Sequence, residues 1–562
     1  MGRSQEEFDY IVVGAGPSSA GLLYGILEKY SSTRSTDLPF SVAVLERGGG
    51  RHDKKTLVPN RWHEASHTPS SSVSLLQTSI GNRVIDVPTG RGLGGSTNVN
   101  ACIVAPPSAD DFQAWPAPWN ENMMPSIHKI QDALVHHGAV YQFNTSVKSM
   151  LSIDTANRSE GFWRESIFPS FVTSIPLAVE RNDKGEYKRI NYHDGLVEPI
   201  LRENPQLARK ITWLRRTEAQ RLLFDGHRVA GVECESASGD VYQIKARMEV
   251  ILAAGAIETP ALLIASGVGP EDDLKKARIP SRGYNLPVGY NLRDHVLLPR
   301  ICFHSFTSYD LSPTTVQALY NAQDGENRFQ MMLFGSASYP GLISHIMASI
   351  FRRRVDFSPR WLSDIINYVL YVVFRLTRFG CRVAVHYTPI FFLLRHFCFG
   401  INIALLNPKS TGRIRVARRS RASKGECRRK DLSIGVDCPY LTDTRDIDAF
   451  VTAWAQSRQL CSSWLDQGVE VFPGPLFPIN QRDLFGKFIH EACQPYFHFC
   501  GTCAIGSVTD NALRVKGIDG LRVCDASVFA TIPSAPTALT CAGLGYALSA
   551  ILFDNEHDKK EK

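Results

Sequence analysis

The chain has 562 residues, 44% hydrophobic and 21% charged, so it can bury a large core, and its length suggests two to four domain-sized units. Its formal charge of +7, from 62 basic and 55 acidic residues, is too small an excess to argue for a nucleic-acid partner, and none is expected. Thirteen cysteines without regular spacing point to reduced thiols and an intracellular compartment, cytoplasmic or peripherally membrane-associated.

The polar start runs into a strand by Asp9, which leaves no room for an apolar leader, so no signal peptide is expected. Tyr10 to Val13 is a short β-branched run. It feeds Gly14-Ala15-Gly16-Pro17-Ser18-Ser19-Ala20-Gly21 and then a helical apolar pattern through Leu22, Leu23, Ile26 and Leu27. A second strand, Phe40 to Leu45, ends at Glu46. This strand–turn–helix–strand order is the dinucleotide-binding unit. Gly14 permits the tight turn, Gly16 lets backbone approach a pyrophosphate, and Ser19 stands where a third glycine is usual. The helix N-terminus offers N–H groups to phosphate, and Glu46 is placed for ribose hydroxyls.

A Gly-rich stretch follows at Thr89 to Asn100, and strands are expected at Arg228 to Cys234 and Val250 to Ala253. From Gly341 to Leu406 the composition changes. Apolar runs such as Tyr368 to Phe374 and Ile390 to Leu394 are punctuated by arginines, and each is too short to span a bilayer. Buried sheet and helix is the plainer reading; a basic, aromatic surface for peripheral membrane contact is the sharper one. Cys500 and Cys503 form a C-x-x-C without a second pair, so no metal site is expected.

Five stretches, in order and spread over nearly the whole chain, resemble one family. Gly90-Arg91-Gly92-Leu93-Gly94-Gly95-Ser96-Thr97-Asn98-Val99-Asn100 resembles the first signature of the glucose–methanol–choline (GMC) oxidoreductases, and Gly255 to Gly269 resembles the second. Val288 to His295, Asn407 to Gly412 and Gly520 to Ser527 follow in register. The resemblance implies FAD as cofactor and an α/β fold: a Rossmann-type FAD-binding domain with a second α+β substrate domain built on an antiparallel sheet. The expected division is 1–105, 200–305 and 505–557 for FAD, and 106–199 and 306–504 for substrate. Cofactor contacts are expected from Gly14, Ala15, Gly16, Glu46, Arg47, Arg91, Ser96, Asn100, Ala101, Gln220, Gly255, Asp525, Ala526 and Thr537.

The resemblance also places His498, in His498-Phe499-Cys500-Gly501-Thr502-Cys503, at the family's catalytic histidine. An imidazole suits a base that takes a hydroxyl proton while hydride leaves for flavin N5. The implied activity is oxidation of a small-molecule primary or secondary alcohol, and the aromatic segment 341–406 suggests a lipophilic one. The family's second catalytic His or Asn is missing: the chain reads Ile532-Pro533-Ser534-Ala535-Pro536-Thr537-Ala538-Leu539 there, most simply through a deletion of about four residues, or, ungapped, with Pro536, which has no N–H to donate, at that position. Cys102 to Pro107 also departs from the family pattern. Two alternatives stay open on that ground: a flavin-containing cyclase or lyase, and a non-catalytic FAD-binding protein.

Overall fold

The computed structural model describes residues 6–32, 37–49, 56–67, 70, 73–80, 83–144, 158–159, 163–172, 174–303, 316–335, 355–356, 358–389, 398–419, 427–437, 440–460, 469–472, 474 and 479–553. Two sheets organise them. In the first, β1 (Glu6–Val13) is flanked in parallel by β2 (Val42–Glu46) and by a long strand, Val241–Leu252. Ile211–Arg215 and Leu521–Val523 extend the parallel set at its two sides. The hairpin Thr217–Asp225 and Arg228–Ser236 joins the near end of Val241–Leu252 in antiparallel fashion. β2 is buried at every position, as its unbroken apolar run requires of a parallel strand covered on both faces. The expected strand at Val250 to Ala253 is thus the last quarter of a longer element, whose first half alternates and reads poorly as a continuous run.

Helix α1 (Pro17–Ser32) covers one face of this sheet and lies against the C-terminal helix Thr537–Phe553. The approach is backbone to backbone. A side chain at Gly21 would collide with the Ala542 carbonyl, and one at Gly545 with the Ser18 carbonyl. Small residues here let the two helices bring their N-termini to one place. The helix Trp119–His136, expected with the substrate unit, packs on Gly543 through Ile127 and donates from Trp119 to the Asn511 carbonyl at 2.8 Å.

The second sheet is antiparallel through its centre. Its order is Val469–Phe472, β3 (Val296–Phe303), Cys398–Leu405, Asn327–Gly335, Val316–Asp324 and Ser170–Val172, with Arg158–Ser159 added in parallel. Residues 296–303, expected with the FAD segments, are therefore hydrogen-bonded into the second sheet. Between its strands Asn327–Gly335 and Cys398–Leu405 the chain makes the 28-residue helix α2 (Arg360–Tyr387). Within the 341–406 segment the strand is buried as expected, whereas α2 exposes apolar residues; the run Ile390 to Leu394 lies outside the described residues. Among the described residues no helix is long and apolar enough to cross a membrane.

Candidate active site

Three helix N-termini converge on one cleft. They belong to α1, to the helix Gly255–Ala265, and to Thr537–Phe553. Each presents backbone N–H groups and a partial positive charge, which suits a phosphate-bearing ligand. The cleft has about 1300 Å³ of atom-free space, its open mouth included. Gly14, Ala15, Gly16, Glu46, Arg47, Ser96, Gly255, Asp525, Ala526 and Thr537, all expected cofactor contacts, line it.

The Gly-rich loops are tied together by Glu46. Its carboxylate accepts from the N–H groups of Gly48 at 2.6 Å, Gly92 at 2.9 Å and Ala15 at 3.2 Å. Gly14 has φ +103° and Gly95 φ +54°, and a side chain on Gly95 would press on the Gly16 backbone. Gly16 differs: a methyl group there would meet nothing nearer than 3.9 Å, so its smallness keeps open space in the cleft. Asp525 forms a second clip, accepting from Gly255 N–H at 2.8 Å, Thr259 hydroxyl at 2.6 Å and Ser527 N–H at 2.8 Å.

Two arginines of the cleft share one carboxylate. Arg47 Nη1 lies 2.6 Å and Arg429 Nε 2.7 Å from opposite oxygens of Glu258. Burial alone would raise the Glu258 carboxyl, but the two guanidinium groups hold it down at about 2. Sequence reasoning missed Glu258 and Arg429 as cleft residues. Glu258 sat inside a recognised glycine signature, whereas Arg429, in Arg428-Arg429-Lys430, reads as ordinary surface charge.

Four expected cofactor contacts fall elsewhere. Gln220 is buried on the other side of its strand, accepting from Lys430 N–H at 3.0 Å, while the neighbouring Thr217, Glu218 and Ala219 line the cleft. The pairing of this strand with Arg228–Ser236 is irregular between Ala219 and Arg221, so simple alternation does not set the Gln220 side chain there. Arg91 lines neither this cleft nor the cavity beside it; burial and the adjacent Arg47 cation disfavour its charge. Asn100 and Ala101 line the adjoining cavity instead.

That cavity shares Pro88, Ser96, Phe497, Thr537 and Ala538 with the cleft, so the two spaces adjoin through a common wall. Ile85, Val99, Ile103, Leu297, Val316 and Phe334 make much of its wall apolar. A cross-strand row of the second sheet, Pro299, Asn402 and Met332 in register, supplies its floor. Asn402 makes no side-chain hydrogen bond within the described residues. His498 and Pro536 also line this cavity.

His498 is held from two directions. Its backbone N–H donates to Asp294 at 2.6 Å, and the Phe497 N–H donates to the same carboxyl at 3.2 Å, as does the Tyr440 hydroxyl at 2.8 Å. Burial pushes Asp294 up to about 7 against these three donors. The clamp fixes Phe497 at φ +65°, a backbone position costly for a bulky residue. On its ring side, His498 Nδ1 lies 2.9 Å from His295 Nδ1. Burial, then His295, depresses His498 well below the usual imidazole range, and burial takes His295 down to about 3, so both rings are neutral near pH 7.

Two neutral rings can share that contact only if one donates. The polar groups acting on His295 are the carbonyls of Pro533 and Leu406, which can only accept. His295 Nε2 itself is buried and makes no hydrogen bond among the described residues. Whichever ring donates, the contact occupies His498 Nδ1 and leaves Nε2 as the ring nitrogen not held by His295. His295 closes the stretch Val288 to His295, which the sequence marked without giving the residue a role.

Two protein-family models, both described as GMC oxidoreductase, match residues 191–297 and 408–545. A dehydrogenase of Monascus ruber is 26% identical across 98% of this chain and 96% of its own length. Versicolorin B synthase of Aspergillus parasiticus is 25% identical across 93% of this chain and 85% of its own. The solved structure of a formate oxidase variant from Aspergillus oryzae, described for the effect of a mutation on FAD modification, matches with a TM-score of 0.71 at 16% identity, over 99% of this chain and 100% of that one.

Proposed function

The chain belongs to the glucose–methanol–choline oxidoreductase family, and from that premise we propose that it oxidises a lipophilic primary or secondary alcohol, with His498 as the base. It is an FAD-dependent oxidoreductase acting on CH–OH groups. The cleft fits the cofactor: three helix N-termini, a glycine cradle and two arginines stand along one elongated space. Gly14 to Gly16, Glu46, Arg47, Ser96, Gly255, Asp525, Ala526 and Thr537 would hold it. When bound, FAD supplies flavin N5 as acceptor for the hydride of the carbinol carbon.

The observation that carries the reading is a neutral His498 on an apolar cavity adjoining the cleft, its Nδ1 engaged by His295. In this reading His498 donates its Nδ1–H to His295, which leaves the Nε2 lone pair for the substrate hydroxyl. His498 takes the hydroxyl proton there as the carbinol C–H bond breaks. The imidazolium that results keeps its Nδ1–H on His295 and so cannot turn from the cavity. The apolar walls exclude water and select a hydrocarbon substituent, each buried methylene favouring binding by about 0.8 kcal/mol.

The alcohol oxygen needs a donor that Pro536 cannot be. Asn402 fills that role in this reading, because its amide is on the cavity wall without a partner. The second reading is a cyclase, favoured by Pro536 and by a relative that is a synthase. Anaerobic mixing separates them. Oxidation bleaches the enzyme's flavin with an aliphatic or aromatic alcohol and yields a carbonyl compound; a cyclase leaves the flavin oxidised and returns an isomer or dehydrated product.

A further inference from the structure

Helix α2 presents an apolar stripe to solvent. At 3.6 residues per turn, Trp361, Ile365, Tyr368, Val372, Leu376 and Phe379 fall on one face. Trp361 is 63% exposed, Tyr368 68%, Leu376 64% and Phe379 67%. The opposite face, through Ser363 and Phe374, is the buried one. This inverts the usual arrangement, in which the apolar face of a surface helix packs inward. The stripe runs most of a helix about 42 Å long at 1.5 Å per residue, and a continuous apolar surface of that kind marks a contact site.

Charge decides what it contacts. Arg360, Arg375 and Arg378 lie along one edge of the stripe, and Asp364 is the helix's one acidic residue. Arg352, Arg353 and Arg354 precede it in the chain. A second copy would bring the same edge, on which one Asp364 stands against three arginines, so that cations outnumber the acid on both sides. An anionic lipid surface complements both the edge and the stripe, and Trp and Tyr are the side chains that favour the headgroup boundary.

We propose that α2 lies in the plane of an anionic membrane surface, its apolar stripe sunk at the headgroup–acyl boundary and its arginines on lipid phosphates. The helix belongs to the connection between strands Asn327–Gly335 and Cys398–Leu405, whose Met332, Phe334 and Asn402 line the catalytic cavity. The docking surface itself stands independently of the alcohol reading.

Flotation of the full-length flavoprotein with mixed phosphatidylserine–phosphatidylcholine vesicles tests this without turnover. The wild type is expected to float with these vesicles and to stay behind with phosphatidylcholine alone. Leu376→Glu with Phe379→Glu should lower binding more than tenfold, and Arg375→Gln about fivefold. Val135→Glu, on an exposed site of another helix, should change nothing. The visible flavin spectrum establishes that each variant is folded. A wild type that stays in the soluble fraction overturns the proposal, as does a Leu376/Phe379 variant that floats equally well. A non-floating wild type that sediments as a dimer dispersed by the same two substitutions would overturn it in favour of a second copy.

Discussion

His295 Nδ1 stands 2.9 Å from His498 Nδ1, although 203 residues separate them in the chain. In the proposed function His295, the residue just before the strand Val296–Phe303, serves as the partner of His498 that the segment after Asp525 lacks. In the proposed reaction the contact leaves His498 Nε2 for the substrate, while burial, then His295, keeps the ring neutral. Its consequences are measurable one residue at a time.

His295→Leu should slow the anaerobic reduction of flavin by alcohol about 10²-fold through loss of ring orientation. His295→Gln, whose amide oxygen can accept the Nδ1–H, should recover part of the rate. The pH profile carries the second readout. A base works deprotonated, so activity is lost as pH falls through its folded pKa. In the wild type that limb lies well below 6.5, because burial and His295 both disfavour the cation. Removing His295 lifts one of the two, so the limb should move upward in the variants. A rate loss with an unmoved limb would make His295 a packing residue only.

Asn402→Leu keeps the volume and removes the donor. It should lower kcat about 10²–10³-fold while leaving flavin content unchanged, the effect of losing one oxyanion-type donor. An unchanged kcat would move that role to another group of the cavity.

Gly14 and Gly16 should fail in different ways. Gly14→Ala puts a side chain at φ +103° and against the Ala253 carbonyl, so the fold itself should lose stability. Gly16→Ala has room in the protein but intrudes on the cleft. The apoprotein should melt like the wild type while its affinity for FAD falls tenfold or more. Thermal melts of both apoproteins, with flavin titration, distinguish the two.

Glu258→Gln removes the carboxylate shared by Arg47 and Arg429. At pH 7 it should destabilise by about 3–5 kcal/mol, seen as a lower Tm, because two buried cations lose their counter-charge. The sign with pH follows from the direction of the shift. The folded carboxyl sits near 2, below its ordinary value of 4.5, so its contribution is complete above 4.5 and is lost as pH falls through about 2. The Tm difference between wild type and variant should therefore shrink as the pH falls through that window.

Much of the nucleotide-binding half was legible because its physics is local. A turn needing positive φ at Gly14, a helix that must begin with free N–H groups, and a fully buried parallel strand each leave a mark within a few residues. Ser19, in place of a third glycine, is buried and fits without disturbing this. Gln220 was misplaced because it sits at a register shift between Ala219 and Arg221, an irregularity that leaves no mark in the sequence. Arg429 was invisible because a cation among cations signals nothing until a distant carboxylate, Glu258, is folded against it. His295 was the hardest case: its motif was plain, but its function exists only in a contact made 203 residues later. The inverted helix α2 was half legible, since the sequence showed the apolar runs and arginines but not which side would face out.

The central claim is that His498 is the base of an alcohol oxidation. The direct measurement is anaerobic stopped-flow reduction of the bound flavin by a long-chain or aromatic alcohol, wild type against His498→Ala. The account predicts flavin bleaching in the wild type, and a 10²–10⁴-fold slower reduction in a variant that still holds its flavin. Equal rates in the two proteins would contradict the assignment of the base, and a wild-type flavin that never bleaches with any alcohol would contradict the reaction.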